Sequence, residues 1–345
     1  MREVPQTLAN PWARTRNLRL TPSTPRIYDA PTPLRLWHLT SLDAPTVAVV
    51  WTLAFAWAAE VTLPIWVPAL LALAAWAVYI GDRLLDARSA LLIRQFNTDH
   101  WVPHPFRVIC GMGGKQQNSL VAGSIRTAQY RRMRLRHRFH WRHRRIFLPI
   151  AVLAACAAAV IVFSCMPVAA RERNSLLAAA ALVYFTRVHS FPRVPSSSDR
   201  APSLTRLISK EMLVGLLFTA ACALPVLSRA ASQPDSPLWT LILPAVFFAL
   251  LAWLNCHAIE HWESRTKPCA GILAPALTLG LAGLLAAAVL AGTHPRPAAL
   301  LAAGALSALL LALLDHHRSR LTPLALRAAA DLVLLTPIPL LFFTR

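Results

Sequence analysis

Ile146-Phe147-Leu148-Pro149-Ile150-Ala151-Val152-Leu153-Ala154-Ala155-Cys156-Ala157-Ala158-Ala159-Val160-Ile161-Val162-Phe163-Ser164-Cys165-Met166 runs for 21 residues without a charged side chain. A helix rises about 1.5 Å per residue, so roughly 20 apolar residues cross the ~30 Å hydrocarbon core of a bilayer. The stretch follows directly on Arg136-His137-Arg138-Phe139-His140-Trp141-Arg142-His143-Arg144-Arg145. A cationic block with interleaved aromatics beside an apolar run reads as a juxtamembrane anchor. Eight further apolar stretches occur: Pro45 to Glu60, Pro64 to Gly81, Asn174 to Ser190, Met212 to Leu227, Pro237 to Cys256, Ala270 to Leu290, Pro297 to Leu314 and Ala328 to Phe343. Ala and Leu dominate them, and both favour helix. The expected fold is all-α: a polytopic transmembrane bundle of about nine helices. Pro337 and Pro339 are expected to kink or break the last one.

The composition agrees. The chain is 56% hydrophobic and only 14% charged, with a mean hydropathy of +0.48. That leaves too few charges to clothe a soluble surface. The six cysteines have no metal-motif spacing and read as small buried hydrophobes, with no disulfide framework.

A net charge of +20 would suggest nucleic acid in a soluble protein, but the placement of the charges argues otherwise. With the N-terminus in the cytoplasm and strict alternation, Lys and Arg number six in the tail, fourteen from Asp82 to Arg145, and five from Arg187 to Lys210. Two more follow the sixth stretch and three the eighth. The opposite side holds five: Arg171, Arg173, Arg229, Arg296 and Arg345. This is the asymmetry of a multi-pass protein with its basic loops inside, and it suits the bacterial cytoplasmic membrane. The partner of these charges is membrane lipid, with no nucleic acid.

Residues 1–44 are polar, basic and rich in proline, and read as a cytoplasmic tail with Trp12 and Trp37 as interface anchors; the transmembrane domain is 45–345. Residues 95–130 mix Asn, Gln, His, Pro and Gly without periodicity and read as a loop insertion. Its Gly111-Met112-Gly113-Gly114-Lys115 lacks the following Ser or Thr and the preceding strand of a phosphate loop.

Chemistry concentrates where apolar stretches end on the basic side. Carboxylates there include Asp82, Asp86, Glu211, Glu260, Glu263 and Asp315. Asp82 and Asp86 are four residues apart and share a helical face, as two oxygen ligands of Mg²⁺ would. The plain alternative is pairing with Arg83 and Arg88. The sixth stretch ends Asn255-Cys256-His257-Ala258-Ile259-Glu260-His261-Trp262-Glu263, with Asn255, Glu260 and Glu263 along one flank and His257 and His261 on another. Asp331 stands near the start of the last stretch, within reach of Arg327 four residues earlier.

These features resemble the UbiA superfamily of intramembrane prenyltransferases, which have nine transmembrane helices and acidic motifs after the second and sixth. Tyr79-Ile80-Gly81-Asp82-Arg83-Leu84-Leu85-Asp86 is similar to the later part of the first motif, with Val78 at the place of its Asn. Tyr184-Phe185-Thr186-Arg187 occupies the position of the family's diphosphate-binding Tyr and basic residue, and Lys210-Glu211-Met212-Leu213-Val214-Gly215 looks like the start of its fifth helix. The second motif has Asn255, Glu260 and Glu263 where the family has Asp. The resemblance implies Mg²⁺ held by Asp82, Asp86, Glu260 and Glu263, with Asp82 and Asp86 catalytic. It also implies substrate contacts from Tyr184, Arg187, Asn255, Glu260 and Glu263. A polyprenyl group would pass from a diphosphate donor to a lipid-soluble, aromatic acceptor, with Trp76, Tyr79, Tyr184 and Trp253 as rings able to face a carbocation. Two other readings compete. His257-Ala258-Ile259-Glu260-His261 fits the inverted zincin pattern of a zinc-dependent hydrolase. A non-catalytic, lipid-binding relative of the same fold needs no metal at all.

The charge asymmetry makes a direct prediction. Reporter fusions at Asp199 and Ala230 will report opposite sides of the membrane; the same side for both contradicts the alternation.

Overall fold

The computed structural model describes residues 28–99, 135–190, 210–233, 238–263 and 271–343, without the side chains of 89–99, 135–137, 185 and 187–190. Most of the insertion, the tail before Tyr28, and the side chain of Arg187 therefore lie outside the described residues. The described chain forms α1 (Thr32–Leu39), α2 (Asp43–Ala58), α3 (Trp66–Asp99), α4 (Leu135–Arg142), α5 (Arg144–Cys165) and α6 (Val168–Ser190). It continues with α7 (Lys210–Ala230), α8 (Trp239–Glu263), α9 (Leu273–Leu290), α10 (Pro295–His316) and α11 (Pro323–Leu332), then short 3-10 turns at Val333–Leu335 and Ile338–Phe342.

Seven of these segments are long and apolar enough to cross a membrane: Trp66–Arg88, α5, α7, α8, α9, α10 and Pro323–Phe342. The pair α1 and α2, bent by 90°, makes an eighth if counted as one broken span. Asn174 to Ser190, the remaining expected stretch, lies in α6. That helix falls short because Arg171, Glu172, Arg173 and Asn174 occupy its first two turns. The surface supports the membrane reading independently. Leu153, Val160 and Phe163 on α5 and Leu281, Leu285 and Val289 on α9 are large, apolar and exposed. Helices apolar on their outer as well as inner faces need lipid as solvent.

At the centre is α2, which packs against α3, α7, α10, α11 and the C-terminal turns. Trp51 stacks on Phe248 of α8 at 3.9 Å, and Phe55 meets the same ring edge-on. Helices α9 and α10 form a hairpin, and glycines let aromatic rings into its seam. A Cβ on Gly283 or Gly304 would stand 2.5 or 2.8 Å from the Phe247 ring. The last helix breaks as the prolines predict: α11 stops at Leu332 and the chain continues in 3-10 turns. Backbone freed in this way must be satisfied inside the bundle. Trp51 Nε1 donates to Leu334 O at 2.8 Å, Ser307 Oγ donates to Val333 O at 2.7 Å, and Thr336 Oγ1 donates to Ala303 O at 2.7 Å.

The stretch read as a polar tail is structured from Tyr28 onward. Tyr28 N donates to Arg320 O, Thr322 N donates to Tyr28 O, and Thr322 Oγ1 donates to Asp29 Oδ1. The Thr322 hydroxyl and the Ala30 amide hold the Asp29 carboxyl below its ordinary range. These bonds lay α1 beside α11. Trp37, expected as an interface anchor, donates from Nε1 to Thr46 Oγ1 at 3.2 Å. The chain then turns at Ser41, whose φ of 61° is left-handed.

Gly215 tests the helix packing. A Cβ there would lie 2.8 Å from Trp253 N and 3.1 Å from Ala249 O, both backbone atoms that cannot swing away. Gly215→Ala is expected to push α7 off α8 and cost about 1–3 kcal/mol of unfolding free energy in detergent. Gly292→Ala, with nothing within 4 Å, is expected to leave it unchanged within about 0.5 kcal/mol.

Candidate functional site: two polar groups at one end of the bundle

Arg83 is 2% exposed, on α3 between Asp82 and Leu84. The sequence offered Asp82 as its partner. In the folded chain Nη2 pairs instead with Asp43 Oδ2 at 3.2 Å, and Nη1 donates to His38 O at 3.2 Å, capping the end of α1. Tyr79, one turn earlier, lies under the guanidinium with its ring centroid at 4.4 Å.

His38, the last but one residue of α1, is fully buried. Its Nδ1 is 2.7 Å from Asp43 Oδ2 and 3.4 Å from Asp331 Oδ2. Neither ring nitrogen is aligned for a hydrogen bond, so these are close charge contacts rather than N–H···O bonds. Asp43 Oδ1 accepts from Ala44 N, and Asn255 Nδ2 on α8 donates to Asp331 Oδ1 at 3.3 Å. Five helices thus meet in one buried polar group: α1 with His38, α2 with Asp43, α3 with Arg83, α8 with Asn255 and α11 with Asp331. His140 of α4 closes it at one side. Its Nε2 lies 3.0 Å from Ser41 Oγ, and burial, with Arg83 nearby, pushes its pKa down to about 3.

The second group lies beside the first. Tyr184 of α6 is within electrostatic reach of Asp82 and Asp86 on α3, Glu211 on α7 and Cys256 on α8. Asn255 and Cys256 are adjacent on α8, and Cys256 is within reach of both Asp331 and Glu211. Asp82 and Asp86 are half-buried and both have partners.

The rest of the sixth apolar stretch disperses. Glu260 is exposed, and Glu263 Oε1 accepts from Arg327 Nη1 at 3.0 Å. The local pairing of Arg327 with Asp331 is thereby replaced: Arg327 goes to α8, and Asp331 to His38 and Asn255. A helix pair four residues apart gains only tenths of a kcal/mol, too little to resist partners in buried positions. His257 stacks on Trp253 at 5.7 Å, while His261 Nε2 lies 3.5 Å from Arg318 Nη1. Among the described residues, His257, Glu260 and His261 do not form a group with ligand atoms together; the group that does is His38, Asp43 and Asp331. A cavity of about 290 Å³ opens nearby, lined by His261, Trp262, Glu263, Arg318 and Arg327 among others. Asp315 accepts from Trp262 Nε1 and Arg318 Nη1, both lining residues, and from Leu273 N.

Comparison with known proteins finds no matching family model, no matching curated protein and no matching solved structure. The resemblance to prenyltransferases rests on the motifs alone. Sequence reasoning passed over His38 and Asp43, and the available signal was a single one. Asp43 is a lone acid two residues before an apolar run, where a carboxylate costs free energy unless it is paired.

The buried charges carry a prediction. Arg83→Met removes the guanidinium that pairs with buried Asp43 and is expected to cost about 3–5 kcal/mol of unfolding free energy in detergent. Arg327→Met removes a pair nearer the surface and is expected to cost less than half as much.

Proposed function

We propose that this multi-pass membrane protein is an intramembrane polyprenyl transferase, moving a polyprenyl group from a diphosphate donor to a lipid-soluble, aromatic acceptor. The supporting observation is that Asp82 and Asp86 of α3 and Glu211 of α7 all lie within electrostatic reach of Tyr184 on α6. The fit to Mg²⁺ is sound in kind. Mg²⁺ takes oxygen ligands and is held by one or two carboxylates together with substrate phosphates. Asp82 and Asp86 supply the two. Bound there, Mg²⁺ would neutralise diphosphate charge as the allylic C–O bond ionises.

The chain's own residues would do the remainder. Arg187 and the basic block Arg136–Arg145 supply cations for the leaving diphosphate. Tyr79 faces Arg83, Trp253 faces His257 and Trp76 donates from Nε1 to Thr40 O, which leaves Tyr184 as the ring that would meet a developing carbocation near the acidic pair. The apolar interior around α2 excludes water. In this reading the N-terminus is cytoplasmic, and the bent pair α1–α2 and helix α6 both cross, which makes nine spans.

A second reading has its own supporting observation. Glu263 is engaged by Arg327 and Glu260 is exposed, so the end of α8 offers little to a metal beyond Asn255. A lipid-binding relative without catalysis fits that end better.

Detergent-purified protein is expected to bind polyprenyl diphosphate only with Mg²⁺ present, and Asp82→Asn and Asp86→Asn are each expected to lose that binding at least tenfold with the fold retained. If wild type does not bind, or if both variants bind unchanged, the enzyme reading fails and the lipid-binding reading stands.

A further inference from the structure

We infer that His38, Asp43 and Asp331 form a buried site for a divalent transition-metal ion of the Zn²⁺ class, separate from the Asp82–Asp86 pair. One ligand atom from each lies within 4.8 Å of the others: Nδ1 of His38 and a carboxylate oxygen of each acid. The contacts of 2.7 and 3.4 Å bracket the ligand-to-ligand separation of roughly 3.3 Å that tetrahedral bonds of 2.0–2.1 Å produce.

The second observation is the imidazole itself. His38 is fully buried, yet neither Nδ1 nor Nε2 makes a hydrogen bond. In a simple ion pair the ring N–H aims at the carboxylate oxygen. Here Nδ1 is close to two carboxylates and aligned with neither. Asp331 Oδ2 and Asn255 Oδ1 are also buried without a partner. Unsatisfied polar atoms are costly when buried, and this group concentrates four of them. Coordination satisfies His38 Nδ1 and Asp331 Oδ2 directly. Asn255, tied by Nδ2 to Asp331, orients that carboxylate as second neighbours of metals commonly do.

The ligand chemistry selects the ion. One imidazole nitrogen and two carboxylates suit Zn²⁺ and its first-row neighbours. Mg²⁺ keeps several waters and demands octahedral space, whereas residues 8% exposed or less leave little room for water. The consequence is structural: the ion would pin α1 onto α2 and α11, elements that enter the fold from opposite ends of the chain.

The test uses full-length protein, stripped with chelator and purified in detergent, and titrated with Zn²⁺ against a chromophoric competitor. Wild type is expected to take up one Zn²⁺ per chain, unaffected by millimolar Mg²⁺, and to gain thermal stability as it fills. His38→Ala and Asp331→Asn are expected to weaken uptake at least tenfold, while His257→Ala retains it. Co²⁺ added to stripped wild type is expected to give a visible d–d absorption band, which decides the matter without variants should either fail to fold. Absence of both Zn²⁺ uptake and a Co²⁺ band in wild type overturns the site. So does uptake retained in both His38→Ala and Asp331→Asn, or uptake lost in His257→Ala alone.

Discussion

Arg83 cannot discard its charge, and it sits where water does not reach. A guanidinium in that position must be neutralised by groups already fixed in the fold, and Asp43 and the carbonyl of His38 meet the requirement. Asp43 is the first residue of α2, the helix around which the bundle packs. Satisfying Arg83 therefore fixes the start of α2 against α3. It also draws in α1, whose His38 lies between Asp43 and Asp331. Asp331 in turn carries α11 and, through Asn255, α8. The left-handed Ser41 and the 90° bend between α1 and α2 follow from the same demand, since a straight α1 would carry His38 away from the carboxylates.

That polar junction also positions the candidate catalytic face. Arg83 and Asp82 are neighbours on α3, so turning Arg83 inward toward Asp43 turns Asp82 toward a different flank. Asn255 and Cys256 divide in the same way on α8. Tyr184 on α6 is then within electrostatic reach of Asp82 and Asp86 on α3, Glu211 on α7 and Cys256 on α8. A structural charge cluster and a candidate reactive group share a wall.

The sequence disclosed what depends on one dimension. Span length, Ala and Leu content, and the prolines of the last segment are local properties, and the helices and the break after Leu332 follow them. The span count was less legible at α6, where Arg171, Glu172 and Arg173 dilute an otherwise apolar segment. Residues 28–44 were misjudged for a related reason. Their polar composition reads as solvated tail, but His38 is buried by partners on α2, α3 and α11 that no local pattern reveals. Arg327 and Asp331 satisfied a local pairing rule and still separated, because Glu263 and His38 reach them from distant parts of the chain. The Asp82–Asp86 spacing was visible from the start; the buried group of His38, Asp43 and Asp331 was not, because its members have no common motif and no fixed spacing.

Arg83 and Asp43 act as one unit inside the bundle. A double-mutant cycle on Arg83→Met and Asp43→Asn, followed by equilibrium unfolding of the full-length protein in detergent, measures that directly. Buried, networked charges should show a coupling of about 2 kcal/mol or more, with the double variant more stable than the sum of the single costs implies. Single costs that add within about 0.5 kcal/mol would mean the two charges are independent, and the central junction would not exist.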